Sequence, residues 1–174
     1  MRYRLEEIAD VIMGQSPKSE YYNTEKKGLP FLQGNRTFGF KYPTFDTYTT
    51  VAPKIARAGD VIMSVRAPAG AMGKTAYNAV IGRGVAAIKG NEFIYQRLVK
   101  MDLCDYWKKL AAGSTFESIN SDIIFNAEIA MPSGKEQKKI GSIFNKIDHL
   151  ISLHQRKLEK LKNIKKSMLE KMFI

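Results

Sequence analysis

The 174-residue sequence has one cysteine, two histidines, one tryptophan and six prolines. Cys104 alone excludes an intrachain disulfide and a cysteine-rich zinc site, and its place within a helical pattern predicts a packed or partly packed thiol. His149 and His154 sit together near the end of the chain with no thiol close in sequence, so neither a metal cluster nor a Ser-His-Asp arrangement takes shape. No two prolines are adjacent, which removes the Asn/Asp-Pro-Pro motif a DNA methyltransferase would need. No run approaches eighteen consecutive apolar residues, so no membrane span is expected. The opening MRYRLEEIADVIMG carries acids where a signal peptide needs an apolar core. A cytoplasmic protein is the expectation.

Two other catalytic patterns are incomplete. Glu25-Lys26-Lys27 matches the acid-x-lysine half of a metal-dependent nuclease, but no Pro-Asp partner precedes it. The segment reads as a solvated loop. Gly70-Ala71-Met72-Gly73-Lys74-Thr75 ends like a phosphate-binding loop. Pro68 stands where that loop needs its first glycine, and Pro68 has no amide hydrogen to offer a phosphate. The residues after Thr75 are also too few and too β-prone to open the required helix. No catalytic residue, cofactor or metal is therefore expected.

Charge is plentiful, and bases outnumber acids 28 to 17. The net charge is +11, with residues 135–174 contributing +7, residues 54–89 +5 and residues 18–41 +3, while the remainder sums to −4. Basic windows between acidic flanks suggest a positive face, suited to a polyanion. An apolar fraction of 44% suffices for a core. Leu5, Ile8, Ala9, Val11 and Ile12 suggest a short opening helix or strand closed by Gly14. Residues 15–48 are turn-rich. Strands are expected at Leu29–Gln33, around Tyr48–Val51, at Val61–Val65 and at Val85–Ile88. Residues 92–112 read as one helix, with Val99, Leu103, Tyr106 and Leu110 on one face. Phe125, Ala127, Ile129 and Met131 alternate as in a strand. There is no internal repeat.

Pro132-Ser133-Gly134 marks a boundary between a mixed α+β globule over residues 1–133 and a helix over residues 134–174. Apolar residues recur along that helix at Ile140, Phe144, Ile147, Ile151, Leu158, Leu161, Met168 and Met172, with His154 and Lys165 filling the two remaining places. Such spacing predicts a seam that meets another helix, on an arm roughly 57 Å long. His154 on the seam is expected to tune register; His149 belongs to the polar face.

Two loop systems carry side chains suited to DNA. Gly14-Gln15-Ser16-Pro17-Lys18 and Gln33-Gly34-Asn35-Arg36-Thr37 are rich in amides and hydroxyls beside a base. Gln, Asn and Arg make bidentate contacts to purines, while Lys, Ser and Thr hold phosphates. The same residues also populate turns for local reasons. Arg66, Lys74 and Arg83 suit backbone contacts.

The order of segments resembles a specificity subunit of the type I restriction–modification systems. The resemblance runs through Leu5-Glu6-Glu7-Ile8-Ala9, Gly14-Gln15-Ser16-Pro17 and Gly28-Leu29-Pro30-Phe31-Leu32-Gln33-Gly34. It continues through Ala58-Gly59-Asp60-Val61-Ile62-Met63-Ser64-Val65-Arg66, Pro68-Ala69-Gly70, Gly113-Ser114-Thr115, Ile119-Asn120 and Ile129-Ala130-Met131-Pro132. Glu136-Gln137-Lys138-Lys139-Ile140 and Ile147-Asp148 complete it. It implies a target-recognition domain joined to a spacer helix that forms an antiparallel coiled coil. The subunit would be non-catalytic. It would read double-stranded DNA and dock methyltransferase subunits, and through them the restriction/translocase subunit. The family pattern has two recognition domains and two spacer helices; this chain has one of each. It is then a half-subunit that dimerises, or one half of a longer protein. A two-fold homodimer would read an interrupted palindrome, with a gap not greatly above roughly 17 base pairs. The residues expected at DNA are Gln15, Ser16, Lys18, Asn35, Arg36, Lys41, Arg66, Lys74 and Arg83. The competing readings are an interaction scaffold without sequence reading, and a nucleotide-dependent enzyme using residues 70–75.

Overall fold

Short apolar runs cut by glycine, proline and asparagine give many short strands. The structure, a computed structural model, describes residues 1–34, 41–43, 45–111 and 118–173. Asn35, Arg36 and the segment Gly113-Ser114-Thr115 lie outside the described residues. The chain opens with β1 (Arg2–Arg4), α1 (Leu5–Ile8) and β2 (Val11–Met13), then β3 (Tyr22–Asn23), β4 (Leu29–Leu32), β5 (Tyr48–Thr49) and β6 (Ile55–Ala56). Next come β7 (Val61–Ser64), β8 (Met72–Lys74), β9 (Ala79–Ile81) and β10 (Val85–Ile88). The helices α2 (Glu92–Leu103), α3 (Tyr106–Ala111) and α4 (Ser121–Phe125), the strand β11 (Glu128–Ala130) and the long α5 (Gly134–Met172) complete it.

The strands form three sheets, ordered β1-β11, β2-β10-β7-β8 and β3-β5-β4-β9-β6. All residues of β7 and β10 are buried, which explains their continuous apolar reading. Successive side chains in a strand point to opposite faces, and here they enter two cores. Val61, Met63, Ala86 and Ile88 join Leu5, Leu98, Trp107, Ile124 and Ile129 in the larger one. Ile62, Val85 and Ala87 join Leu32, Ala56 and Ile81 in the smaller. Thus one strand pair holds the helical layer against one face and the second sheet against the other.

Several expectations change in detail. The opening segment contains both a helix and strands, and β1 pairs with β11 near the far end of the globule. The predicted 92–112 helix is two helices. Asp105 takes a positive φ of 55° between them, a conformation Asp tolerates better than most residues. That break turns the predicted face: Leu103 is 80% exposed and Leu110 45%, while Leu98, Trp107 and Ala111 are buried. Cys104 at the break is exposed rather than packed. Phe125 closes α4, so the alternating strand shortens to β11, with Ile129 buried between exposed neighbours. Residues 72–74 form a strand rather than the mouth of a phosphate-binding helix.

At the root of α5, the Ser133 hydroxyl accepts from the Glu136 amide, and the Glu136 carboxylate returns a bond to the Ser133 amide. This capping box starts the helix at the expected boundary. Gly141 is the close-approach point: a Cβ there would lie 3.1 Å from Glu92 Cβ and 3.3 Å from the Phe93 amide nitrogen. A second link runs from Asn91, which caps α2 through the Ile94 amide and donates to Gln137 at 2.9 Å. Ile140, expected on the partner seam, instead packs on the globule's larger core. Beyond the root, α5 leaves the globule. No helix among the described residues is long and apolar enough to cross a membrane.

Candidate nucleic-acid interface

Strand registers bring four loops to one edge. Met13 at the end of β2 pairs with Ala86, and Ser64 at the end of β7 pairs with Val85. Leu32 at the end of β4 pairs with Ile81 in the parallel β4–β9 ladder. Each of these ends therefore meets the tight β9–β10 turn Gly82-Arg83-Gly84, which the Val85 amide closes on the Gly82 carbonyl. Backbone bonds fix the convergence. Gly14 donates to Val85, Gln15 to Ile81, Gly82 to Leu32 and Val65 to Gly84, all at 2.9 Å, as expected for amide bonds. The Arg83 amide donates to Ser16 Oγ at 3.1 Å.

Such crowding demands glycine. A Cβ on Gly14 would lie 2.2 Å from the Gly82 carbonyl oxygen, and one on Gly84 would lie 3.1 Å from Gly34 Cα. The result is an open cleft of about 380 Å³ lined by Ser16, Pro17, Tyr22, Gln33, Arg66 and Arg83, together with Gly34 and Gly84. No carboxylate lines it among the described residues. Arg66 and Arg83 are exposed. Ser16 uses its oxygen as an acceptor and keeps a hydroxyl hydrogen for a ligand. The cleft thus offers two guanidiniums, an amide and a hydroxyl, a donor-rich set for phosphate oxygens and purine edges.

Ser16, Arg66 and Arg83 of the expected DNA residues come together here. Gln15 and Lys18 lie on the same loop, exposed and outside the lining set; the Lys18 ammonium is 3.9 Å from Glu20. Gln33 and Tyr22 are lining residues that the sequence reading did not select. Gln33 stands in the second amide-rich loop and was within reach of that argument. Tyr22 had no sequence signal: its ring stacks at 4.8 Å on Phe31 and its hydroxyl donates to the Pro17 carbonyl at 2.9 Å, so it props the loop.

Lys41 and Lys74 are a correction. Lys41 was expected at DNA and Lys74 at its backbone, and both are nearly buried in ion pairs. Lys41 Nζ lies 2.7 Å from Glu92, 3.0 Å from Asp148 and 3.0 Å from the Asn145 side-chain oxygen. Lys74 Nζ lies 3.1 Å from Glu92. Gln96 donates to both carboxylates, at 3.1 Å and 2.7 Å. Two acids far along the chain neutralise the two lysines, which takes their charge away from any external anion. Burial opposes the Lys41 charge, but its Glu92 and Asp148 bonds outweigh burial and raise its pKa. Burial likewise pushes Glu92 up, and the Lys41, Gln96 and Lys74 contacts more than reverse it, leaving its pKa lowered. Tyr95 lies beneath both ammoniums, 5.1 Å and 5.9 Å from its centroid. Burial, then the Asp148 and Glu92 carboxylates, raises its phenol.

On the arm, Phe144, Ile147, Ile151, Leu158, Leu161, Met168 and Met172 are all exposed, between 43% and 70%. His154 and Lys165 share that exposure. Ile143, Leu150, Leu153, Ile164 and Leu169 are exposed as well. At 100° per residue the apolar set spreads over about half the helix circumference, wider than a two-stranded seam alone.

The sequence and fold are similar to those of known proteins. Residues 1–163 match the family described as the type I restriction modification DNA specificity domain. A putative type I restriction enzyme MjaX specificity subunit from Methanocaldococcus jannaschii is 34% identical over 172 residues, covering 94% of this chain and 40% of the relative. A chain from a solved structure of a type I R-M system, reported for its complex assembly and conformational transition, matches at 33% identity with a TM-score of 0.76. That match covers 98% of this chain and 45% of the other. The HsdS subunit from Thermoanaerobacter tengcongensis matches at 32% identity and a TM-score of 0.74, covering 99% and 44%. This chain therefore spans less than half the length of the relatives it matches.

Proposed function

The chain belongs to the type I restriction–modification DNA specificity family, and on that premise we propose that it is a non-catalytic half-reader of a two-part DNA target. The globule over residues 1–133 is the recognition domain, and residues 134–174 are the spacer and dimerisation helix. The observation that carries the reading is the cleft where Ser16, Gln33, Arg66 and Arg83 converge on one tight turn, with no carboxylate among its described lining residues. Gln15 and Lys18 flank it. Asn35 and Arg36 follow Gly34 in sequence and belong to the same reading. Arg66 and Arg83 contact phosphates or purines, and Gln33 reads an adenine edge. Lys41 and Lys74 have no part in it.

The arm pairs antiparallel with the arm of a second copy through Phe144, Ile147, Ile151, His154, Leu158, Leu161, Lys165, Met168 and Met172. Two-fold symmetry then makes the target an interrupted palindrome. Because the exposed apolar arc exceeds one seam, the remaining flank suits docking of methyltransferase subunits, and through them the restriction/translocase subunit. Anisotropy titrations of labelled random duplexes at several salt concentrations, followed by sequencing of the bound fraction, test this reading. It predicts a steep fall of affinity with salt, with a slope near −0.9 per phosphate contacted, and a palindromic consensus. A shallow slope with no enriched sequence refutes sequence reading and leaves a coiled-coil interaction scaffold.

A further inference from the structure

Lys41 is the one described residue whose side chain ties the β-sheet globule to both α2 and α5. Its backbone carbonyl accepts from the Lys74 amide in β8, so its own position is fixed by the sheet. A lysine ammonium has three donors, and this one meets three acceptors on two helices: Glu92, Asn145 and Asp148. The group is fully satisfied, and it is only 12% exposed. The bonds to α5 fall one to two turns beyond the Gly141 crossing. Asn91–Gln137, Ile140 and Gly141 hold the arm at its root; the Lys41 bonds, beside the Gln96–Asp148 bond from α2, hold it farther out, and points at two distances along a helix define its direction. Lys41 also lies seven residues beyond Gly34, which lines the cleft.

Resting on the half-reader proposed above, we infer that Lys41 is a positioning residue: with Asp148 it sets the angle at which α5 leaves the globule, and so the number of base pairs between the two half-sites. The leverage is large. About 36 Å of helix extends beyond Asp148, so a tilt of about 10° moves its far end by roughly 6 Å, or about two base pairs. Lys74 has no such leverage, because its ammonium reaches Glu92 and no group on α5.

The test compares duplex selections from a random pool for the full chain and for Lys41→Met, Asp148→Asn and Lys74→Met, each verified as folded by Trp107 emission. The expected result is one half-site sequence for all four proteins. Wild type and Lys74→Met should select a single gap length, whereas Lys41→Met and Asp148→Asn should select gaps spread over about two base pairs to either side. An unchanged, equally sharp gap in folded Lys41→Met overturns the inference while leaving the half-reader standing. Loss of the half-site sequence in that variant also overturns it, since Lys41 would then act in reading itself. Should Lys41→Met fail to fold, Asp148→Asn decides by the same criteria. A wild-type selection without any motif defeats the underlying reading, and this inference with it.

Discussion

Replacing Gly14 by alanine tests whether the cleft is built by backbone crowding. The added Cβ would sit 2.2 Å from the Gly82 oxygen, 2.6 Å from the Val85 oxygen and 2.8 Å from the Ile81 oxygen. All three are backbone atoms of the β9–β10 turn or the strand ends that flank it, so no flexible side chain can swing away. Overpacking of this kind costs about 1–3 kcal/mol. The displacement also breaks the Gly14–Val85 and Gln15–Ile81 hydrogen bonds, at about 1 kcal/mol each. A total near 3–5 kcal/mol is a large part of the stability of a domain this size. Gly134→Ala is the matched control, because a Cβ there meets nothing within 4 Å. That change should be neutral or stabilise by about 0.5–1 kcal/mol. Trp107, the only tryptophan and fully buried, reports unfolding by fluorescence. With a urea slope near 2 kcal/mol/M, Gly14→Ala should lower the midpoint by roughly 2 M. A midpoint within about 0.5 M of wild type would refute the crowding argument.

Other perturbations address the charge, the arm and the root. Arg83→Ala should weaken DNA binding by about 1–3 kcal/mol with the urea midpoint unchanged, as measured by anisotropy; equal affinity would remove Arg83 from the interface. Leu158→Asp with Leu161→Asp, both about half exposed, should leave the globule's melting intact and halve the mass seen by light scattering. An unchanged mass would show that this seam pairs no copies. The root should also be sensitive to pH. Glu92 has a lowered folded pKa, so its contribution is present above the ordinary value of 4.5 and disappears as pH falls through the folded value. Lys41 has a raised one, so its contribution is complete below 10.5 and is lost as pH rises through the folded value. Urea midpoints across that range should fall at both ends, and Glu92→Gln should flatten the acid limb; coincident acid limbs would contradict it.

Local patterns were legible where one residue type dominates. Val85–Ile88 appears as read, and Val61–Val65 loses only its last residue, because strands buried on both faces announce themselves as apolar runs. Pro132-Ser133-Gly134 announced the start of α5. Long-range pairing was not legible. Nothing near Lys41 in sequence indicates Glu92 or Asp148, which are 51 and 107 residues away, and so a lysine at a helix root looked like a lysine for DNA. Asp105 also gave no warning, since a left-handed aspartate after Cys104 is a tertiary choice rather than a propensity. Ile140 shows the limit of periodicity: it obeys the heptad spacing of the arm and yet packs on the globule. Of the residues that line the cleft, residue chemistry had selected Ser16, Arg66 and Arg83. Tyr22 was missed because its role depends on Phe31 and Pro17 across a turn.

The most direct measurement is a structure of the chain bound to the duplex it selects. The account predicts phosphate or base-edge atoms within hydrogen-bond distance of Arg66, Arg83 and Gln33, with two copies related by a two-fold axis through paired α5 helices. DNA lying on another face, with the Ser16–Arg83 cleft empty, would contradict it.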